Sequence, residues 1–202
     1  MSTRQLTSKA MKFLGELGAK AQSKEQQDIL NVLFDALLFI DSTGQLYTFE
    51  DYRKYLLSDD PPRVMKAFAT LEEAEAWLKE HPEPPSSAYV LVADRYHQLV
   101  YNRDLNHRRV FPHPVFEYYL GGRLQAGLPP PQASFTSRQE AEAWLENEPA
   151  PPTQAVIMIA GEPHLAVYHP NIGHRSLYPF SMAAEVEEQR GASGGPGSES
   201  SE

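Results

Sequence analysis

The stretch Phe68-Ala-Thr-Leu-Glu-Glu-Ala-Glu-Ala-Trp-Leu78 decides the fold, because the chain contains a second version of it 67 residues later. The second version reads Phe135-Thr-Ser-Arg-Gln-Glu-Ala-Glu-Ala-Trp-Leu145. The register continues without a gap to Pro112 and Pro179, and 18 of the 45 aligned positions are identical, which is too many for chance. A duplicated unit predicts one supersecondary module that is present twice, each copy using its neighbour to bury an apolar face.

Each copy is predicted to begin with a helix. Thr70 and Glu73 form a capping box, in which a hydroxyl and a carboxylate accept hydrogen bonds from free amides at the helix start. The second copy repeats this box at Ser137 and Glu140. The repeated cap therefore places the start of the helix at the same point of each module.

Strands are predicted to follow each helix. The apolar runs at 88–93 and 155–160 indicate strands that are covered on both faces, because a half-exposed strand would alternate apolar and polar residues. Turns are predicted at 94–95 and 161–163, return strands at 97–101 and 164–168, and third strands at 107–111 and 174–178. The predicted fold class is α+β: an N-terminal helical section followed by two tandem helix-plus-antiparallel-strand repeats with pseudo-twofold symmetry.

Residues 1–60 are predicted to form the helical section. Apolar residues recur at spacings of three and four along 3–21 and again along 29–38, with Ser23 as the cap of the second helix. Asp41-Ser-Thr-Gly44 predicts the end of that helix, and Thr48 with Asp51 predicts the start of a third. The stripes are apolar enough that we expect them to be buried in a small helical subdomain.

The remaining domain boundaries follow from the repeat. The first repeat module is predicted at 61–126 and the second at 127–190, with short helices expected at 114–120 and 182–190. Residues 191–202 consist almost entirely of Gly, Ser and Glu, so they are predicted to be a disordered tail.

Composition limits the classes of function. The chain has a net charge of −9, which disfavours generic binding to a phosphate backbone. It contains no cysteine, so thiolate chemistry is excluded and a reducing, cytoplasmic location is expected. It has no apolar run long enough to cross a membrane and no signal-like N-terminus.

Arginines are concentrated in the strands of the first copy. Arg95 and Arg103 correspond to Glu162 and Pro170 in the second copy, so the two copies differ in charge there. Such divergence favours one copy that faces a partner with an acidic surface, although a solvated strand face is the simpler interpretation. The predicted partner-binding residues are Arg95, Arg103, Arg108 and Arg109.

One arginine is retained in both copies, because His107-Arg108 recurs as His174-Arg175. We expect each guanidinium to form an ion pair with the repeat helix of its own module, with a ligand-binding role as the alternative. The predicted acidic partners are Glu73 or Glu75 in the first copy and Glu140 or Glu142 in the second.

Histidines and tryptophans allow further interpretations. A metal or small-ligand site in the groove between the copies is the second hypothesis, because imidazole is a common ligand. Its candidate residues are His97, His107, His164 and His174. No carboxylate stands at a recognised ligand spacing, so a structural role is the simpler reading of these histidines. Trp77 and Trp144 are expected to anchor helix to sheet, with base stacking as the alternative.

Two resemblances concern the repeat. Phe-x-Ser-x-x-Glu-Ala at Phe135–Ala141 is similar to the helix start in hybrid-binding domains ahead of some ribonucleases H. Those domains place their strand pair before the helix, so their RNA-binding residues are not transferred. The duplicated Glu-Ala-Glu-Ala-Trp-Leu units in an acidic, cysteine-free chain resemble lineage-restricted paralogous proteins of myxobacteria, some of which are immunity proteins.

The sequence predicts a non-enzymatic protein-binding module, an immunity or regulatory factor that binds an acidic partner surface without a cofactor. No phosphate loop, nucleophile elbow or metalloprotease motif occurs. The alternatives are the histidine site and nucleic-acid binding through the arginine-rich strands of the first repeat, which would weaken steeply with salt. Self-association, and pairing of the repeats within or between chains, are left open.

Overall fold

The computed structural model describes residues 2–184 of the 202-residue chain. The predicted tail at 191–202 and most of the helix predicted at 182–190 lie outside the described residues. The elements run in the order α1 Thr3–Gly18, α2 Lys24–Ser42, α3 Leu46–Leu56, β1 Val64–Phe68, α4 Leu71–Glu80, β2 Ser87–Val92, β3 Arg95–Asn102, β4 His107–Pro112, α5 Val115–Ala126, β5 Ala133–Phe135, α6 Arg138–Asn147, β6 Gln154–Ile159, β7 Glu162–His169 and β8 His174–Pro179.

The two repeats form two sheets with the same connectivity, which confirms the predicted α+β class. The first sheet has the order β1-β2-β3-β4 and the second has the order β5-β6-β7-β8. The last three strands of each sheet are antiparallel, as predicted. The first strand of each sheet pairs in parallel with the second, because the intervening helix α4 or α6 crosses over the sheet. The sheets are therefore mixed rather than purely antiparallel.

Each sheet has an outer face that is covered by its own repeat helix. In the first module Val90, Val92 and Leu99 pack with Ala74 and Leu78 of α4. The equivalent cluster of the second module consists of Ala141, Leu145, Ala155, Ile157, Ile159, Ala166 and Leu177. These contacts bury the small and apolar side of each Glu-Ala-Glu-Ala-Trp-Leu helix, which is why the motif occurs twice.

The inner faces of the two sheets share one core. Phe116 and Leu120 of α5 contribute to it, and both are almost completely buried. The other buried members are Val64, Leu91, Tyr96, Val156, Leu165, Val167, Tyr178, Phe180 and Met182. The central strands are thus covered on both faces, as their continuous apolar sequence predicts.

The repeated polar and aromatic residues of the helices have structural roles. Thr70 Oγ1 accepts a 3.3 Å hydrogen bond from the amide of Glu73, and Ser137 Oγ does the same for Glu140. The carboxylate of Glu73 accepts from the amide of Ala69, one residue before the cap. The rings of Trp77 and Trp144 lie 5.8 Å and 5.5 Å from those of Phe68 and Phe135, so both tryptophans anchor helix to strand.

Some predicted boundaries are wrong. Helix α3 begins at Leu46 after Gln45 without a side-chain cap, so Thr48 does not start it. Helix α5 continues through Gly121 and Gly122 to Ala126, because burial of its apolar residues outweighs the roughly 1 kcal/mol cost of a helical glycine. The β2–β3 turn consists of Ala93 and Asp94, both with positive φ, one residue earlier than predicted.

The chain divides into two compact units, Met1–Asp59 and a second that begins at Asp60. In the first unit α1 and α2 form a helical hairpin. The two helices are close at Gly18, where an added Cβ would lie 3.1 Å from Nε2 of Gln27. The only buried residues among 2–59 are Thr3 and Thr7, so the expected burial of the apolar stripes is wrong for this unit. None of the helices within 2–184 is by itself long and apolar enough to cross a membrane; α2 and α3 meet that test only together, bent by 114°.

Candidate interaction surface

The four predicted partner-binding arginines do not form one strip. Arg95 begins β3, whereas Arg103 follows its last residue, so the length of the strand separates them. Arg108 and Arg109 are consecutive in β4 and therefore point to opposite faces of the sheet. Arg103 forms an exposed ion pair with Glu83, 3.6 Å away. The structure thus divides the predicted surface into separate sites.

Arg108 caps the end of helix α4. Its Nη1 atom donates to the carbonyls of Leu78, Lys79 and His81 at 2.6, 3.1 and 2.8 Å. The guanidinium also lies over the ring of Tyr101, its cross-strand neighbour, at 4.9 Å. The last carbonyls of a helix lack partners within the helix and carry its negative end, so a cation is favourable there.

The second copy builds the same cap with Arg175. Its Nη2 atom donates to the carbonyl of Glu148 at 3.1 Å, and its guanidinium lies 5.2 Å from the ring of Tyr168. The predicted ion pairs of Arg108 and Arg175 with helix glutamates are therefore wrong. The arginines are retained because backbone carbonyls, rather than carboxylates, are their partners.

The four repeated histidines are not brought together. His97 and His164 lie on the outer faces, where each Nδ1 hydrogen bonds to the carbonyl two residues earlier, at 3.0 and 3.1 Å. His107 and His174 lie on the inner faces. Their cross-strand partners, Asn102 and His169, are an even number of residues from Tyr96 and Leu165, which belong to the shared core. No group of three or more His, Asp or Glu side chains within 2–184 is arranged to hold a metal ion.

The contact between the modules contains a carboxylate with two donors. His174 Nε2 and Ser176 Oγ of β8 donate to the same oxygen of Asp94, at 2.7 and 3.0 Å. The hydrogen bond from His174 is the main cause of the lowered pKa of Asp94, opposed by partial burial and aided by Ser176. Because the serine hydroxyl donates to the carboxylate and not to the imidazole, His174 is not placed as a base for Ser176. The arrangement holds the β2–β3 turn against β8.

A second polar contact lies beside it. The Tyr96 hydroxyl donates to the carbonyl of Pro62 at 3.0 Å, and His169 Nε2 lies 3.3 Å from the same hydroxyl oxygen. Since the Tyr96 hydrogen is used for Pro62, His169 donates through Nε2. Burial lowers the pKa of His169 to about 4, with a smaller contribution from nearby His174, while Asp94 acts in the opposite direction. His169 is therefore neutral at pH 7.

The inner faces of the two modules differ in what covers their last two strands. In the second module this face is buried under the Asp94–Tyr96 turn of the first. In the first module the equivalent face is less covered: Phe111 exposes 38% of its surface where Tyr178 exposes 3%, and His107 and Arg109 are exposed while Gln98 and Val100 are half-buried. We call this surface the open face; it consists of Gln98, Val100, His107, Arg109 and Phe111. The modules thus share their topology but contact each other through non-equivalent residues.

Of the residues in the inter-module contact, the sequence singled out His174, as a candidate ligand, but not Asp94, Tyr96 or Ser176. Asp94, Tyr96 and Ser176 correspond to Gly161, Pro163 and Arg109 in the other copy. The signal in the sequence was that each of these residues is replaced by a chemically unlike residue in the other copy, on strands that otherwise match. Divergence between the two copies led to the prediction of the arginines, but the residues of the buried contact diverge just as strongly.

Comparison of the chain with protein-family models, with curated proteins and with solved structures finds no match.

Proposed function

We propose that this chain is a non-enzymatic protein-binding module of the bacterial cytoplasm, an immunity or regulatory factor that binds an acidic loop of its partner on the open face. The observation that carries the proposal is the unequal burial of equivalent residues in the two copies. Arg109 and His107 are exposed, whereas their counterparts Ser176 and His174 already hold the carboxylate of Asp94.

The internal contact indicates what kind of loop fits. On the second module, Asp94 binds the donors of β8 and Tyr96 enters the shared core two residues later. The open face offers a histidine and a guanidinium at the two donor positions. A guanidinium binds a carboxylate through paired hydrogen bonds more strongly than a serine hydroxyl does. An acidic residue close to an aromatic one is therefore the chemistry that this surface favours.

The apolar part of the open face supplies an anchor. Phe111 lies directly across from Gln98, and Val100 lies across from Arg109, so aromatic, aliphatic and cationic groups alternate over the surface. Arginine and large aromatic side chains contribute a large share of binding energy at protein interfaces. Of the arginines predicted from the sequence, Arg109 belongs to this surface and Arg103 lies in the loop next to His107. Arg108 and Arg95 point to the outer face.

The first experiment uses a photoreactive amino acid at Phe111 in the chain expressed in its native cells. We expect one protein to be cross-linked from position 111. The matched control is Ala76, which is exposed on helix α4, the helix that packs on the opposite face of the same sheet. Equal cross-linking from both positions, or from neither, contradicts the proposal.

The second experiment measures affinity for the captured partner. Arg109→Glu is expected to weaken binding about tenfold or more, because the new carboxylate has the same negative charge as the partner loop and repels it. Arg95→Glu makes the same charge change on the opposite face and is expected to leave binding intact. Equal losses would favour the linear arginine strip over the open face. An affinity that falls steeply with salt and is shared by nucleic acid would indicate the nucleic-acid alternative.

A further inference from the structure

The α1–α2 hairpin has two different sides. A groove on one side is lined by Leu14, Gly15, Gly18, Ala19, Gln27, Leu30, Asn31 and Phe34. With 3.6 residues per turn, Phe13 and Leu17 lie on the side of α1 away from Gly15. By the same geometry, Ile29 and Leu33 lie on the side of α2 away from Asn31. The four side chains therefore share the side opposite the groove.

These four residues form an exposed apolar surface, which we call the hairpin patch. Phe13 and Leu17 expose 59% and 37% of their surface, and Ile29 and Leu33 expose 55% and 49%. Val32 and Phe39 of α2 also expose 67% and 56% of their surface, whereas the exposed Phe34 belongs to the groove side. Large exposed apolar side chains grouped on one side of a surface mark interaction sites on proteins.

The spacing of the patch suits a partner helix. On α1, Leu6, Ala10, Phe13 and Leu17 follow one another at intervals of four, three and four. On α2, the same intervals join Ile29, Leu33, Ala36 and Ile40. Apolar residues in this alternation form the seam along which helices pack with interlocking side chains. The patch is therefore shaped for other helices.

The charges of the two helices are complementary. Helix α1 contains three basic residues and one acidic residue, whereas α2 contains one basic residue and four acidic residues. Because the two helices carry opposite net charge, a second copy is matched when α1 of one copy lies on α2 of the other. The acidic α2 would instead be repelled by an anionic lipid surface.

We propose that the hairpin patch is the interface of a homodimer, in which α1 of each copy packs on α2 of its partner about a two-fold axis parallel to the helices. The result is a four-helix bundle that covers the apolar residues of both chains. The alternative two-fold places α1 on α1 and α2 on α2, and it brings like charges together. This inference is independent of the open face, so Arg109→Glu leaves the dimer intact.

The first test is the mass of the full chain by sedimentation equilibrium over a range of concentrations. The wild-type chain is expected to be a dimer, and Leu33→Glu to shift it to monomer at the same concentration. Leu57→Glu is the matched control, since Leu57 is 83% exposed but lies beyond α3. Circular dichroism shows whether each variant keeps its helices. A wild-type monomer, or equal effects of both substitutions, overturns the proposal.

The second test uses the absence of cysteine from the chain. Two single-cysteine variants, Leu17→Cys and Ile29→Cys, are mixed and oxidised, and a mixed disulfide between the two chains is expected. Gly15→Cys replaces Leu17→Cys in the control, because a side chain at Gly15 meets nothing within 4 Å and points to the groove side. Equal yields with Gly15→Cys contradict the arrangement. A monomer that binds neutral lipid vesicles would assign the patch to a membrane and also overturn it.

Discussion

His174 Nε2 donates a 2.7 Å hydrogen bond to Asp94 Oδ1, although the two residues are 80 positions apart and belong to different repeat modules. The same carboxylate oxygen accepts from Ser176. This contact joins the turn of one module to the edge strand of the other. It also uses on the second module the positions that remain exposed on the first, so the two repeats differ in exposed surface although they share a fold.

Removal of the Asp94 carboxylate is expected to destabilise the contact between the modules. Asp94 has a φ of 61°, so Asp94→Gly keeps the turn and leaves two donors without their acceptor. We expect a loss of about 1–2 kcal/mol in the free energy of unfolding at pH 7, measured by urea denaturation. Asn106→Gly, at another turn with positive φ, is the control and should have little effect.

The contribution of Asp94 depends on pH in a defined direction. Its pKa is lowered in the folded chain, so its stabilising effect is complete above the ordinary pKa of an aspartate, near 4, and is lost as the pH falls through the lowered value. The difference between the wild type and Asp94→Gly should therefore shrink in strong acid. A difference that grows below pH 4 would contradict this assignment.

His169 should make the folded chain sensitive to mild acid. Its pKa is about 4 in the folded chain and near 6.5 in an unfolded one, so the unfolded chain takes up the proton first. Stability is expected to fall by about 3 kcal/mol as the pH decreases from 6.5 to 4, by that difference in pKa. His169→Gln keeps a donor for Tyr96 and should remove most of this slope. Titration of His169 near 6.5 by NMR would refute the prediction.

Arg108 should stabilise the first module through its geometry as well as its charge. Arg108→Lys keeps the charge but loses the planar guanidinium, which stacks on Tyr101 and so holds Nη1 against the carbonyls of Leu78 and His81. We expect a loss of about 1–2 kcal/mol in the free energy of unfolding, and the same direction for Arg175→Lys. Arg109→Lys, on the opposite face, is the control and should change stability by less than about 0.5 kcal/mol.

Tyr178 offers a stabilising substitution. Its hydroxyl is buried without a hydrogen-bond partner among the described residues, and its ring packs 4.2 Å from that of Phe116. Tyr178→Phe removes the unsatisfied group and keeps the ring contact. We expect the melting temperature to stay constant or to rise by a few degrees, corresponding to about 1 kcal/mol. Calorimetry that shows a clear decrease would indicate that the hydroxyl has a partner.

The sequence by itself determined the repeated parts of this protein. The helix caps at Thr70 and Ser137, the buried strands and the place of Trp77 follow from local spacing, because hydrogen bonding near a helix start and apolar periodicity act over a few residues. Local signals also erred where packing prevailed, as in α5, which continues through Gly121 and Gly122 because its buried apolar face sustains it.

The tertiary structure alone decided the candidate sites. The sequence could not show that Arg108 faces helix carbonyls while Arg109 faces outward, because the two faces of a strand are told apart only when something packs on one of them. Nor could it show that the first module leaves its inner face open, since the docking of Asp94 on β8 is a long-range contact that no local pattern encodes. The α1–α2 stripes were correctly recognised as apolar, yet which side remains uncovered depends on how the two helices pack.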